Sequence, residues 1–173
     1  MTSLEEAKSS NGTRVSEIRT MADFLAHGSI APAFEANDQE GNVVRLQDLR
    51  GRPVVLYFYP EDDTPGCTRE ACAFRDDMGA FQARGAIVVG VSPQDEASHR
   101  AFREKHSLTF PLLADTTKRI CRDYRALGLL GTTKRVTYVI GPDGVIRGAF
   151  RRIDPKDHSA QALRLLEGLP GDV

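Results

Sequence analysis

Val54-Val55-Leu56-Tyr57-Phe58-Tyr59-Pro60-Glu61-Asp62-Asp63-Thr64-Pro65-Gly66-Cys67 is the stretch on which the fold turns. Its first six residues are β-branched, aliphatic or aromatic and read as a buried strand. The strand breaks at a turn rich in Pro and Gly, and a cysteine then stands at the expected start of a helix. A helix N-terminus offers unpaired backbone N–H groups and a partial positive charge, both of which favour thiolate over thiol. Cys72 follows five residues later as a candidate partner for whatever Cys67 becomes after reacting.

Outward from this stretch, apolar runs alternate with helical periodicity. Strands are expected over 43–46, 54–59, 87–91, 111–114, 136–140 and 145–150, and helices over 66–84, 94–106, 116–125 and 156–168. Strands separated by helices of about ten residues or more imply crossovers, hence parallel pairs covered on both faces. Pro142-Asp143-Gly144 between two strands implies a hairpin instead, so an α/β fold with a central mixed sheet is expected. Residues 1–28 are polar and contain Ser9-Ser10-Asn11-Gly12, which reads as a flexible arm, while Val15, Ile18, Met21 and Leu25 fit a short amphipathic helix over 13–26. The domain proper is expected over 29–173.

A chain of 173 residues is long enough for one substantial core and short for two domains. Its net charge of −1 gives no electrostatic footprint for nucleic acid or an anionic membrane. The longest apolar run falls far short of a bilayer span, and the N-terminus lacks a signal-peptide core, so a soluble cytoplasmic protein is expected. Three cysteines, an odd and sparse count for a chain expected in a reducing compartment, do not make a disulfide scaffold, which favours free, catalytic or metal-binding thiols.

On the expected helix, Cys67 shares a stripe with Ala71, Phe74, Met78 and Phe81, the face turned to the core. Cys72 lies about 140° round from Cys67, with the two Cα atoms roughly 8–9 Å apart. A disulfide does not span that distance, so pairing them would require the first turns to unwind.

Pro60-x-x-x-Thr64-x-x-Cys67 resembles the peroxidatic motif of peroxiredoxins, and Thr64-Pro65-Gly66-Cys67-Thr68-x-Glu70-x-Cys72 is similar to the Q subgroup, the bacterioferritin comigratory proteins. The resemblance continues through Ala31-Pro32-x-Phe34, Asp48-Leu49-x-Gly51, Phe74-Arg75-Asp76, Gly90-Val91-Ser92, Phe110-Pro111-Leu112-Leu113 and Arg135-Val136-Thr137-Tyr138-Val139-Ile140. It implies a thioredoxin-like fold and reduction of hydrogen peroxide and organic hydroperoxides without a metal or organic cofactor. By resemblance, Cys67 is the peroxidatic nucleophile, Thr64 orients the peroxide, Pro60 shields the sulfur and Arg135 holds the developing charge. Cys72 matches the resolving residue of an intramolecular disulfide, and a thioredoxin or similar dithiol protein is the implied reductant. The subgroup implies a monomer, with a dimer as the alternative. One departure is the segment from Tyr124 to Arg135, which is shorter than in many relatives.

Other readings stand beside these. Cys72 as a bystander, Lys134 in place of Arg135, and Glu70 as either catalytic support or a helix-dipole residue are all open. Cys121 is expected simply to pack. His27, His99, His106 and His158 are expected at the surface, and Glu61, Asp62 and Asp63 to solvate the turn. A general dithiol exchanger is disfavoured because four residues separate the cysteines where redox motifs have two. A zinc site lacks a second ligand pair. A redox-sensing or holdase-like protein would use the same unwinding to expose Phe74, Met78 and Phe81.

Overall fold

The computed structural model describes residues 24–169. Two short strands, β1 (Glu35–Asn37) and β2 (Val43–Arg45), form an antiparallel ribbon apart from the main sheet. The main sheet holds β3 (Val54–Phe58), β4 (Ile87–Ser92), β5 (Leu112–Ala114), β6 (Val136–Ile140) and β7 (Ile146–Phe150), in the spatial order 5-4-3-6-7. β3, β4 and β5 run parallel, whereas β6 and β7 are antiparallel additions. The helices are α1 (Pro65–Asp76), α2 (Met78–Ala83), α3 (Glu96–His106), α4 (Arg119–Asp123) and α5 (His158–Glu167).

β3 is the middle strand, and its period of two explains why every residue in it is apolar. Val54, Leu56 and Phe58 face one core with Val91, Tyr138 and Ile140, closed by Ile120 and Cys121 of α4 and by Phe34. Val55 and Tyr57 face the other, closed by Ala71 and Phe74 of α1, Phe81 of α2, Phe102 of α3, and Ala162 and Leu166 of α5. Fully burying one such side chain contributes roughly 1.5–3 kcal/mol. The ring of Tyr57 stacks on Phe74 at 4.5 Å between centroids and meets Phe110 edge-on, which clamps α1 to the sheet.

Gly90 on β4 leaves room for that ring. A Cβ there would sit 2.9 Å from Leu112 Cδ2 and 3.0 Å from Tyr57 Cζ. Gly90→Ala is therefore expected to cost about 1–3 kcal/mol through overpacking. Urea denaturation checks this, and an unshifted midpoint would show that the Tyr57–Phe74 stack yields freely.

The structure departs from expectation in identifiable places. The single helix expected over 66–84 is two helices, interrupted at Asp77 with φ −90° and ψ 6°. Ser159 on α5 donates to Asp77 Oδ2 at 2.7 Å, tying the break to the last helix. The strand expected over 43–46 lies outside the main sheet, paired with β1, a strand not expected at all. The helix expected over 116–125 contracts to α4 because Lys118 adopts left-handed backbone with φ 61°. The hairpin at Pro142-Asp143-Gly144 is present, with Gly144 at φ 80° donating its N–H to the Gly141 carbonyl. The expected helix over 13–26 lies almost wholly outside the described residues, and Phe24 and Leu25 pack against the core in non-helical backbone. No helix among the described residues is long and apolar enough to cross a membrane.

Candidate active site

The chain leaves β3 at the carboxyl end of the sheet's middle strand, where parallel sheets commonly place their chemistry. Asp63 takes left-handed backbone with φ 60°, and Thr64 follows in extended conformation as the N-cap of α1. The Thr64 hydroxyl donates back to the Glu61 carbonyl at 3.0 Å and caps no helix N–H. Pro65 occupies the first helical position, where its missing N–H costs nothing. These choices place Cys67 in the first turn of α1, 1% exposed, at the end of the helix whose N–H groups lack helical partners.

Arg135, immediately before β6, crosses to this sulfur. Its Nη2 donates to Cys67 Sγ at 3.4 Å, and its Nη1 to Glu70 Oε1 at 2.8 Å. Gly66 permits the crossing, since a Cβ there would lie 3.1 Å from Arg135 Nη2. Glu70 is fully buried. Burial pushes its carboxyl up to about 8 despite the opposing pull of Arg135, so it is largely the neutral acid at pH 7. Its Oε2 stands 3.3 Å from His158 Nδ1, outside hydrogen-bonding alignment. Burial, aided by the Arg135 charge, lowers His158 to about 4, so its ring is neutral, and Nδ1 lies 2.8 Å from Thr137 Oγ1. Tyr57 rises well above its ordinary value through burial, with Glu70 and Cys67 adding to the shift. Arg135 thus spans the Glu70 carboxyl and the Cys67 sulfur.

The loop carrying Pro60 and Thr64 is anchored from beneath by Asp62, contrary to the expectation that it solvates the turn. Its side chain is 5% exposed and accepts from Tyr59 Oη at 2.6 Å, from Ser98 Oγ at 2.7 Å and at 2.6 Å from His99 Nδ1. The other nitrogen of His99 meets the Leu113 carbonyl at 2.9 Å, so both ring nitrogens face acceptors. His99 and His158 are fully buried, which corrects their expected surface placement. The signal was present: His99 and Phe102 share a stripe on α3, as His158, Ala162 and Leu166 do on α5. Asp63 next to Asp62 is exposed, as expected, and pairs with Lys105 and His106 at the far end of α3.

The remaining candidates separate clearly. Pro60 is half-buried, and its carbonyl accepts from Gln94 Nε2 at 3.3 Å. Cys72 is half-buried on α1 and free, within the same helix as Cys67. Lys134 lines a surface groove with Leu129 and Arg152, while Arg135 takes the position at the sulfur. Cys121 is fully buried on α4, and burial together with Asp115 pushes its thiol up to about 12, so it packs as an inert side chain.

Comparison with known proteins agrees with this geometry. The AhpC/TSA family model matches residues 27–149. The chain is 41% identical over 154 residues to a chloroplastic peroxiredoxin Q of Oryza sativa subsp. japonica, covering 87% of this chain and 71% of that one. The crystal structure of peroxidoxin BcpB from Mycobacterium tuberculosis superposes with a TM-score of 0.79 at 34% identity, covering 84% of this chain and 98% of that one. The bacterioferritin comigratory protein of Xanthomonas campestris, studied for alkyl peroxide reduction, superposes at 0.74 with 29% identity over 78% of this chain and 90% of that one. The mixed sheet flanked by helices is thus the thioredoxin-like arrangement these proteins share. With the motif around Cys67 in place and family, relatives and fold in agreement, the chain belongs to the AhpC/TSA family as a peroxiredoxin of the Q type.

Proposed function

We propose that this chain reduces hydroperoxides through Cys67, with Cys72 as the resolving thiol and a thioredoxin-type dithiol protein as the reductant. The observation that carries the reading is the buried Cys67 sulfur at a helix N-terminus, held by Arg135 at 3.4 Å, with a second free cysteine on the same helix. A sulfur lone pair attacks the outer peroxide oxygen, the O–O bond breaks, and its electron pair leaves with the other oxygen as alkoxide or hydroxide, which takes up a proton. Cys67 is then a sulfenic acid. Arg135 and the N–H groups around Gly66 and Cys67 stabilise charge on the separating oxygens. The Thr64 hydroxyl orients the peroxide and Pro60 keeps bulk water from the sulfur.

The thiolate of Cys72 then attacks the sulfenic sulfur, the S–O bond breaks, and the departing hydroxide takes a proton to leave as water, giving the Cys67–Cys72 disulfide. Two electrons from the external dithiol return both cysteines to thiols. Organic hydroperoxides belong among the substrates by analogy with the Xanthomonas relative. The monomer is the working unit in this reading, because both cysteines lie on one helix. A reducing compartment such as the cytoplasm suits the cycle, and the rice relative is chloroplastic by name.

Intact-mass analysis after one equivalent of hydrogen peroxide tests this. Wild type is expected to lose two hydrogens as the disulfide forms, and Cys72→Ser to gain one oxygen at Cys67. Oxygen uptake by wild type without disulfide removes Cys72 from the cycle, and an unmodified Cys67 removes the reading altogether.

A further inference from the structure

Glu70 lies between Cys67 and Cys72 on α1, on the buried side of the helix and without solvent exposure. Its carboxyl shares one cation, Arg135, with the Cys67 sulfur. The titratable groups around it come from every neighbouring element: Arg135 ahead of β6, His158 on α5 with Asp154 acting on that ring, Tyr57 on β3, and Cys67 on its own helix. Of these, Arg135 alone is cationic at neutral pH, and Glu70 Oε2 has no hydrogen-bond partner among the described residues. A buried carboxyl so placed is retained only while α1 stays folded.

Disulfide formation cannot leave α1 folded. Five helical residues set the two Cα atoms roughly 8–9 Å apart, and a disulfide closes at no more than about 7 Å. The turns that must open are the ones that hold Glu70, so opening carries its carboxyl from the core into water.

We propose that Glu70 is the release element of α1: its burial is a local cost that unwinding relieves, so it favours closure of the Cys67–Cys72 disulfide over persistence of the folded helix. This rests on the reading above that these two cysteines pair. Glu70 touches neither the sulfur nor the peroxide, and its effect is on when the helix lets go.

The pH dependence follows from linkage. The carboxyl is held at about 8 in the folded helix, against an ordinary value of 4.5 once exposed. Below about pH 4.5 it is protonated in both forms and contributes nothing. Between the two values the opened helix sheds a proton that the folded helix keeps, so opening gains up to about tenfold per pH unit. Above pH 8 both forms are ionised and the gain is flat. At pH 7 the accumulated factor reaches at most roughly 300-fold.

Rapid-quench mass analysis of wild type and Glu70→Gln across pH 5–9 tests the proposal, with sulfenic acid formation and disulfide closure timed separately. Ionisation of Cys72 is common to both proteins and cancels in the ratio of their closure rates. That ratio, wild type over variant, is expected to rise at least about tenfold from pH 5 to pH 8 and then flatten. The sulfenic acid step is expected to show no such trend. A ratio independent of pH, or equal losses in both steps, overturns the proposal while leaving the peroxidase cycle standing. Hydrogen exchange in wild type gives a second readout that needs no variant. Opening of amides 68–72, corrected for intrinsic exchange, is expected to grow over the same pH range relative to β3, and constant opening overturns the proposal. If Cys67 forms no sulfenic acid, or an intramolecular disulfide still closes in Cys72→Ser, the proposal falls together with the reading beneath it.

Discussion

Arg135→Ala is expected to slow oxidation of Cys67 by hydroperoxide by about 10²–10³-fold, the cost typical of removing one preorganised donor from a site of developing negative charge. The alternative is that Arg135 acts only by keeping the sulfur ionised. In general, a thiol whose pKa falls from about 8.5 to about 6 gains only about thirtyfold in thiolate at pH 7, and the lower basicity weakens the nucleophile. Thiolate fraction alone therefore cannot account for the larger loss. The remainder is expected to come from charge on the breaking O–O bond, since Arg135 Nη2 reaches the sulfur where the peroxide must approach, with Nη1 held by Glu70. Stopped-flow oxidation kinetics measure the first quantity, and the pH profile of iodoacetamide alkylation measures the thiolate fraction. Arg135 as a mere counter-ion predicts that the two fall together. Arg135→Lys should recover only part of the rate, since a single ammonium lacks the planar fork that serves both partners at once.

The strand and helix order of the main sheet was legible because β3, β4 and β6 are buried on both faces and carry continuous apolar runs. Cys67 and Arg135 were singled out by the resemblance around them, and the structure brings the two together across 68 residues of sequence. The ribbon of β1 and β2 was not, because Glu35-Ala36-Asn37 has no apolar alternation and is specified by pairing with Val43-Val44-Arg45. The break at Asp77 was hidden because Phe74, Met78 and Phe81 keep helical spacing straight across it. Residue-type expectation failed most clearly for His99, His158 and Asp62. Polar residues are usually exposed, yet each lies where its partner comes from a distant segment, and such pairings have no local signature. Glu70 was ambiguous because the sequence reading put it in the first helical turn, where a carboxylate suits the dipole; the helix starts at Pro65, and no acidic residue lies in that turn. Only its burial against Arg135 distinguishes the roles.

The buried Asp62–His99 contact carries the other large expected effect. Asp62 accepts from three side chains, and His99 links it to the Leu113 carbonyl at the end of β5. His99→Ala would leave the carboxylate buried with one donor fewer and the Leu113 carbonyl without its partner, in space no longer filled by the ring. Asp62→Ala would strand the His99 nitrogen and the hydroxyls of Tyr59 and Ser98. Breaking a buried pair from either side is expected to cost about 3–5 kcal/mol, much of it from the group left behind. Urea denaturation of both single variants and the double variant separates this from simple loss of packing. If the contact is the cause, the double variant loses less than the sum of the singles, by on the order of 2 kcal/mol. Additive losses would mean that each residue merely fills space. The same loop carries Pro60 and Thr64, so at denaturant concentrations where the variants remain folded, loss of the anchor should also slow Cys67 oxidation. That coupling arises because Asp62 fixes the backbone two residues from each of them, while Gln94 holds the Pro60 carbonyl and the Asp62 N–H of the same loop.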